Sequence, residues 1–255
     1  MIRVNRGQPP DGFNVRSTAL RRKFLAARRH DPDISASKFW ASVRHSLRAD
    51  ANELSRRCYH KCAYCESHMR HVSYPHIEHY RPKGQRRFER LMFVWDNWLL
   101  SCGVCNDEKW TEFPQINGQP ALLDPAVDVP EQHFGFRRNI IFELSDRGKA
   151  TIQLVCLDRR DLESERGAWL LQIDALLLLA IWAESADIRR ESRAYLIWAM
   201  QDDAPYAAMT RRYLAEICPK LANPQIPHEH VVGEDIRRRI AILVANHLDA
   251  ANQLG

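Results

Sequence analysis

The chain has 255 residues, of which 45% are hydrophobic and 27% charged, and a formal net charge of +5. This length can bury a core in one large domain or two small ones. The seven cysteines, an odd number, and the absence of an apolar amino-terminal segment argue against a secreted disulfide framework and favour the cytoplasm.

Two helices are predicted first, over residues 14–30 and 35–57, because apolar residues recur there at helical spacing. The amino-terminal helix also carries many arginines and lysines. These either extend a nucleic-acid-binding surface or form the polar side of the helix. The predicted core positions of the region are Phe24, Phe39, Trp40, Val43, Leu47 and Leu54.

Two Cys-x-x-Cys pairs follow, Cys62 with Cys65 and Cys102 with Cys105. Their number and spacing match a closed tetrahedral zinc site. Four thiolates leave no coordination position open, so this Zn²⁺ would be structural. A zinc ribbon that only binds a partner has the same cysteine pattern. Competing ligands near the first pair are Cys58, His60 and His68.

Between the pairs, Glu78 and His79 are the only carboxylate and imidazole that are direct neighbours. A carboxylate can hold a hard divalent cation, while an imidazole with a pKa near 6.5 can take a proton from water. His76 is a second candidate for ligand or base in a shifted register. The pair predicts a hydrolytic centre enclosed by the zinc site.

Three stretches, Glu78–Pro82, Trp95–Leu100 and Cys102–Lys109, resemble the HNH endonucleases. Those enzymes have a ββα-metal module with an acidic-His pair, a central Asn, and a His or Asn after a Cys-x-x-Cys. The resemblance implies a β-hairpin, a short helix after Asn106, and hydrolysis of nucleic-acid phosphodiesters with His79 as general base.

The same resemblance implies the remaining site residues. Glu78 and Asn106 become ligands of a catalytic metal, Asn97 braces the catalytic loop, and Lys109 contacts phosphate or the transition state. Two protein oxygens suit Mg²⁺, which keeps several waters, and Mn²⁺ would be tolerated. The chain departs from the family pattern at Glu78, where Asp is commoner, and at Trp110, where Gly often closes the short helix.

A narrower resemblance covers most of the chain. Met1–Pro10, Cys62–Glu66, His76–Lys83 and Leu122–Pro125 are similar to the PtuB-type HNH proteins of Septu and some retron antiphage systems. It implies a cytoplasmic bacterial effector that works with an ATPase partner, PtuA. The chain has no Gly-x-x-x-x-Gly-Lys-Ser/Thr sequence, so that ATPase would be another protein.

A basic cluster follows the acidic-His pair directly. Cations beside a hydrolytic centre suit a polyanion, because phosphate contacts supply most sequence-independent affinity for nucleic acid. DNA is favoured as substrate and RNA stays open; a solvated surface is the alternative interpretation. The cluster consists of Arg81, Lys83, Arg86, Arg87 and Arg90.

The rest of the chain is predicted as a loop over 114–135, a hairpin of 139–144 with 150–155, and a carboxy-terminal helical bundle. The helices are expected at 159–184, 187–200, 205–217 and 234–248. The apolar run 168–182 is shorter than the roughly 20 residues that a membrane span needs and contains Asp174. It therefore predicts a core helix or partner interface, and no membrane.

The sequence as a whole predicts a mainly α, α+β protein. Its expected parts are an amino-terminal helical region (1–57), a zinc-bearing HNH module (58–115), and a linker, hairpin and helical bundle (116–255). The predicted function is a metal-dependent endonuclease, and a second form of this hypothesis keeps it inactive until an ATPase assembles on the carboxy-terminal helices. The alternative is a catalytically silent zinc module that binds nucleic acid or a partner.

Overall fold

The computed structural model of the chain describes residues 1–69 and 76–222. In these ranges the protein is mainly α-helical with small antiparallel sheets, which confirms the predicted fold class. The chain divides into two compact units. Unit 1 comprises Met1–Gly135 and Phe142–Asp158, and unit 2 comprises Phe136–Ile141 and the described residues from Arg159 onward. The predicted helix 234–248 lies outside the described residues.

Helix α1 (Phe13–His30) confirms the prediction for residues 14–30. Its buried positions recur every three or four residues, so one stripe of the helix faces the core. Basic side chains occupy its last turn, where they meet the negative end of the helix dipole. The buried stripe consists of Phe13, Ser17, Leu20 and Phe24.

The single helix predicted over 35–57 is wrong. The structure has α2 (Ala36–Val43), a 3₁₀ turn (Arg44–Leu47) and α3 (Arg48–Arg57). Ser46 donates its hydroxyl to the Val43 carbonyl at 2.7 Å, which competes with the regular helical pattern. Leu47 is buried, so the break turns this side chain into the core.

Strands β1 (His76–His79) and β2 (Trp98–Ser101) pair antiparallel, with His76 opposite Ser101 and His79 opposite Trp98. Helix α4 (Gly103–Lys109) follows β2 almost directly. It begins at Gly103 because the sulfur of Cys102 accepts the Cys105 amide at 3.5 Å and caps the first turn. The expectation that the helix starts after Asn106 is therefore wrong.

An aromatic cluster holds this strand pair against the amino-terminal helices. The ring of Trp98 meets Phe13 of α1 at 5.1 Å and Trp40 of α2 at 5.6 Å between centroids, both nearly edge to face. Edge-to-face contacts contribute more than their buried area alone. The core of unit 1 thus lies directly beneath β2.

The predicted loop 114–135 contains a small hairpin of β3 (Gln115–Ile116) and β4 (Gln119–Pro120). Its turn is Asn117-Gly118, and both residues have positive φ, 51° and 76°. Asn-Gly is the preferred sequence for such a turn. The signal was therefore present in the sequence.

The hairpin predicted from 139–144 and 150–155 is wrong. Strand β6 (Ile140–Glu143) instead pairs with β5 (Phe134–Arg137), and residues 146–154 form α5 (Asp146–Leu154). Ser145 caps α5 by accepting the Gly148 amide at 3.0 Å. A Cβ at Gly148 would lie 2.1 Å from the His133 carbonyl oxygen, so this glycine permits close packing rather than a turn.

Unit 2 contains α6 (Arg160–Trp182), α7 (Ala186–Ala199) and α8 (Ala207–Ala222), which confirms three predicted helices. Asp174 lies buried in α6, and its carboxylate accepts hydrogen bonds from Arg138 and from the Tyr213 hydroxyl. Across the described ranges, no helix has the length and apolar character required to cross a membrane.

Candidate functional site

Four cysteine sulfurs converge at one end of the β1–β2 pair. The sulfurs of Cys62, Cys65, Cys102 and Cys105 all lie within 4.8 Å of one another, and those of Cys65 and Cys102 are 3.9 Å apart. Ligands about 2.3 Å from Zn²⁺ in a tetrahedron are about 3.8 Å apart. The cluster therefore fits a closed zinc site, and it is the only group of three or more His, Cys, Asp or Glu ligands among the described residues.

The backbone explains why these sulfurs meet. The amide of Ala63 donates to the Leu100 carbonyl at 2.8 Å, which attaches the first pair to β2, and Cys102 directly follows that strand. A hydrogen bond with Cys102 holds the pKa of Cys65 well below its usual range. Burial raises the pKa of Cys62 well above it. The neighbouring thiols thus differ in how readily they lose a proton, and a bound cation would favour the thiolate form of each.

The competing ligands lie apart from this group. Cys58 is buried, and burial raises the pKa of its thiol to about 12. His60 shares a 2.9 Å hydrogen bond between its Nδ1 and the Ser55 hydroxyl. Because free cysteines usually pack as small hydrophobic residues, the sequence also predicts buried thiols at Cys156 and Cys218. Cys156 is only half-buried and Cys218 is exposed, so that expectation is wrong.

A cleft of about 120 Å³ lies between β1, α4 and the segment after β1. It brings together the acidic-His pair and Asn106, as the resemblance to HNH endonucleases implies. Larger cavities of about 710 and 600 Å³ occur elsewhere in unit 1, and neither is lined by these residues. The cleft is lined by Ser37, Glu78, His79, Pro82, Lys83, Gly84, Asn106, Asp107, Trp110 and Thr111.

The imidazole of His79 is oriented by a main-chain carbonyl. Its Nε2 lies 3.0 Å from the Met92 oxygen, which also accepts the indole N–H of Trp98 at 2.9 Å. A carbonyl oxygen only accepts, so Nε2 carries the proton and Nδ1 presents a lone pair. Nδ1 is buried and has no hydrogen-bond partner among the described residues.

Burial also fixes the charge of this ring. His79 is 2% exposed, and its burial, together with the positive charge of Lys83, holds its pKa well below the usual value. Trp40 contacts the imidazole edge to face, with 4.6 Å between ring centroids. The ring of His79 is therefore held in one orientation and is neutral at pH 7.

Glu78 is paired with a buried lysine. Its Oε1 lies 2.5 Å from Lys109 Nζ, and the same ammonium donates to the His79 carbonyl at 3.0 Å. Burial raises the pKa of Glu78, and the charge of Lys109 opposes this rise. Lys109 is fully buried. These two contacts place Lys109 to position Glu78, while its predicted contact with phosphate or the transition state stays a prediction.

Asn97 connects the loop after β1 to the start of β2. Its Oδ1 accepts the Arg81 amide at 2.8 Å, and its Nδ2 donates to the carbonyls of Arg81 and Leu91 at 3.0 and 3.3 Å. The side chain is buried, so these bonds are shielded from water. Asn97 thus holds the loop from which the Met92 carbonyl reaches His79.

The remaining predicted residues are spread around the cleft. Asn106 is half-buried in α4 and lines it, whereas His76, the rival base, does not. Lys83 lines the cleft, and its burial lowers the pKa of the ammonium group. Arg86 and Arg87 are exposed. The exposed guanidinium of Arg81 stacks over the rings of Tyr80 and Phe113 at 5.7 and 6.0 Å.

Comparison with known proteins finds similarity to a Septu protein. The chain is 29% identical to the Septu protein PtuB of Bacillus mycoides (strain KBAB4), over 75% of this chain and 78% of the relative. This similarity supports a Septu-like family. No family model matches the chain.

Sequence reasoning missed three features of the candidate site. Met92 contributes only a carbonyl oxygen, for which no residue type is a signal. The ion pair of Lys109 with Glu78 joins two residues that lie far apart in the sequence, and no local pattern indicates it. Trp40 was predicted as a core residue, and the structure adds that its ring borders His79.

Proposed function

We propose that this protein is a metal-dependent endonuclease of the HNH type that hydrolyses nucleic-acid phosphodiesters, with DNA favoured. The proposed nuclease module is residues 58–115, between the helical region 1–57 and the carboxy-terminal region 116–255. The observation that best supports it is the unpartnered Nδ1 of neutral His79, in a cleft shared with Glu78 and Asn106. A hydrolytic base needs such a lone pair.

His79 would take a proton from the attacking water at Nδ1. Its Nε2–H stays on the Met92 carbonyl, and that bond strengthens when the ring gains positive charge. Because burial disfavours the protonated ring, the proton would leave again readily. Asn97 would keep the loop that carries this carbonyl in place.

Glu78 and Asn106 offer one carboxylate and one amide oxygen to the same cleft. This donor set fits Mg²⁺ or Mn²⁺, which would neutralise charge on the phosphoryl oxygens and the departing 3′ oxygen. Lys109 would orient the Glu78 carboxylate through their ion pair. The four cysteines would hold a structural Zn²⁺.

The surface around the cleft supports a polyanionic substrate. Lys83 lies in its wall, and Arg81, Arg86 and Arg87 are exposed on the segment that follows β1. Such cations bind phosphates without reading sequence. We therefore assign these four residues to backbone contacts.

The similarity to a Septu protein supports a role in antiphage defence. We propose a cytoplasmic effector that works with a PtuA-like ATPase. In this proposal the chain would supply the nuclease site and the partner the ATPase, since the sequence has no P-loop, and the partner would control cleavage.

The proposal is tested with supercoiled plasmid in Mg²⁺ or Mn²⁺, with and without the co-expressed ATPase partner and with EDTA as a control. His79→Ala is expected to lower the cleavage rate about 10²- to 10⁴-fold, the usual contribution of a general base. His76→Ala is the matched control, since it removes an imidazole from the same strand outside the cleft.

Nicked and linear products should disappear in His79→Ala and persist in His76→Ala, with zinc content and melting temperature unchanged in both. The reverse result would move the base to His76. Equal cleavage by both variants would refute the mechanism.

One observation favours a second function, a zinc module with a silent site that only binds nucleic acid or a partner. The ammonium of Lys109 already neutralises Glu78, the residue that a catalytic cation would need. Titration with Mn²⁺ followed by electron paramagnetic resonance separates the two. A silent module would bind no Mn²⁺ in the cleft. It would not cleave nucleic acid in the presence of any metal, although it would still bind oligonucleotides.

A further inference from the structure

An exposed tryptophan borders the cleft at the end of α4. Trp110 is 72% exposed and lines the cleft together with Glu78, His79 and Asn106. Its ring is therefore not part of the core and is open to a ligand at the cleft.

The backbone at this position makes the choice of residue more unusual. Trp110 has φ 47° and ψ −119°, and the amide of Glu112 donates to the Lys109 carbonyl at 2.9 Å. These are the features of a type II′ turn with Trp110 as its first central residue, a position that glycine dominates. A bulky side chain there is strained, and such strain concentrates at ligand-binding sites.

The turn is also anchored, so the ring is presented from a fixed base. The Gln85 side chain donates to the Thr111 carbonyl at 2.6 Å. A Cβ added to Gly84 would lie 2.7 Å from Thr111 Cγ2, so the turn packs closely against the segment after β1. That segment carries the basic side chains, including Lys83 in the wall of the cleft.

We propose that Trp110 stacks on an unpaired nucleobase next to the phosphate that enters the cleft, a role that rests on the proposed nuclease function. Every base has an apolar face, and base stacking on an exposed aromatic ring is tolerant of sequence. The preferred substrate is therefore single-stranded or locally opened nucleic acid. A base held within a duplex has both faces covered by its neighbours and offers no free face to the ring.

Binding is measured in a His79→Ala background, which prevents cleavage, with a fluorescent single-stranded oligothymidylate that contains one 5-iodouracil. Trp110→Gly removes the ring and suits the turn, so folding is retained. Tyr59→Gly is the matched control, because Tyr59 is also an exposed aromatic residue with positive φ, 54°, and it lies outside the cleft. Trp110→Phe keeps an aromatic face.

Trp110→Gly is expected to weaken binding about tenfold, whereas Trp110→Phe and Tyr59→Gly stay within about threefold of the parent. Irradiation should cross-link the iodouracil to Trp110, the first residue of the tryptic peptide 110–137. An abasic site in place of the iodouracil should abolish the difference between the parent and Trp110→Gly.

Unchanged affinity in Trp110→Gly, or a cross-link elsewhere, would overturn the stacking role. The ring would then face another macromolecule such as a protein partner, while plasmid cleavage by the wild-type protein would leave the nuclease function standing. Both proposals would be overturned if the parent binds no nucleic acid and the wild-type protein cleaves none, either alone or with the co-expressed ATPase partner.

Discussion

Two buried carboxylates, Glu78 in unit 1 and Asp174 in unit 2, differ in what surrounds them. Both oxygens of Asp174 are bonded, one to Arg138 at 2.9 Å and the other to the Tyr213 hydroxyl. Glu78 is paired with Lys109 through Oε1 and lines a cleft beside an unpartnered imidazole nitrogen. A buried charge is therefore not enough to identify a functional site. Glu78 differs from Asp174 in lining a cleft and in having the unpartnered Nδ1 of His79 in the same cleft.

The largest expected effect tests this distinction directly. Glu78→Gln should lower cleavage about a thousandfold, equal to about 4 kcal/mol in the activation barrier, because the proposed metal loses its charged ligand. Asp174→Asn is the matched substitution and should leave the cleavage rate within about threefold. Single-turnover cleavage of a labelled substrate measures both. A similar loss in the two variants would erase the distinction.

Lys109→Met sharpens the comparison through stability. It leaves Glu78 buried without its cation, and we expect the free energy of unfolding to fall by about 3 kcal/mol at pH 7. Urea denaturation followed by tryptophan fluorescence measures this change. Lys149→Met is the control, since Lys149 is exposed and lies outside the cleft.

The loss of stability in Lys109→Met should grow as pH rises. Burial raises the folded-state pKa of Glu78 above its ordinary value of 4.5, and removing Lys109 raises it further. The folded state then binds more protons than the unfolded state, so stability falls as pH rises above about 4.5. A variant that is as stable at pH 8 as at pH 5 would show that Glu78 has another partner.

The smallest predicted effect is the loss of stability caused by Asp174→Asn. Asp174→Asn keeps the shape of the side chain and weakens its bonds to Arg138 and Tyr213, so we expect a loss of about 2 kcal/mol. Arg138 is 42% exposed and can regain water, which limits the cost. Thermal unfolding measures it. A destabilisation larger than that of Lys109→Met would reverse the proposed ranking of the two sites.

The sequence predicted the parts of the fold that depend on local patterns. Periodic apolar residues located α1 and α6, and the cysteine spacing located the sulfur cluster. The hairpin around residue 148 was wrong because Gly148 has two physical uses. A glycine can form a turn, or it can let a helix approach a carbonyl, and only the tertiary neighbour, His133, decides between them.

The candidate site was also predictable only in part. The motif placed Glu78, His79 and Asn106 together, and the structure brings them to one cleft. The partner of Lys109 and the tautomer of His79 depend on atoms distant in sequence, Glu78 Oε1 and the Met92 oxygen. Neither can be obtained from residue type, and the catalytic roles themselves stay predictions.

The Met92 carbonyl has a consequence for how this site tolerates mutation. The atom that selects the tautomer of the imidazole belongs to the main chain, so any side chain that fits position 92 can supply it. What the site needs instead is the path of the loop, which Asn97 fastens at both Arg81 and Leu91. Substitution of Asn97 should therefore harm the proposed base more than substitution of Met92, although the Asn97 amide bonds to the loop and not to the imidazole.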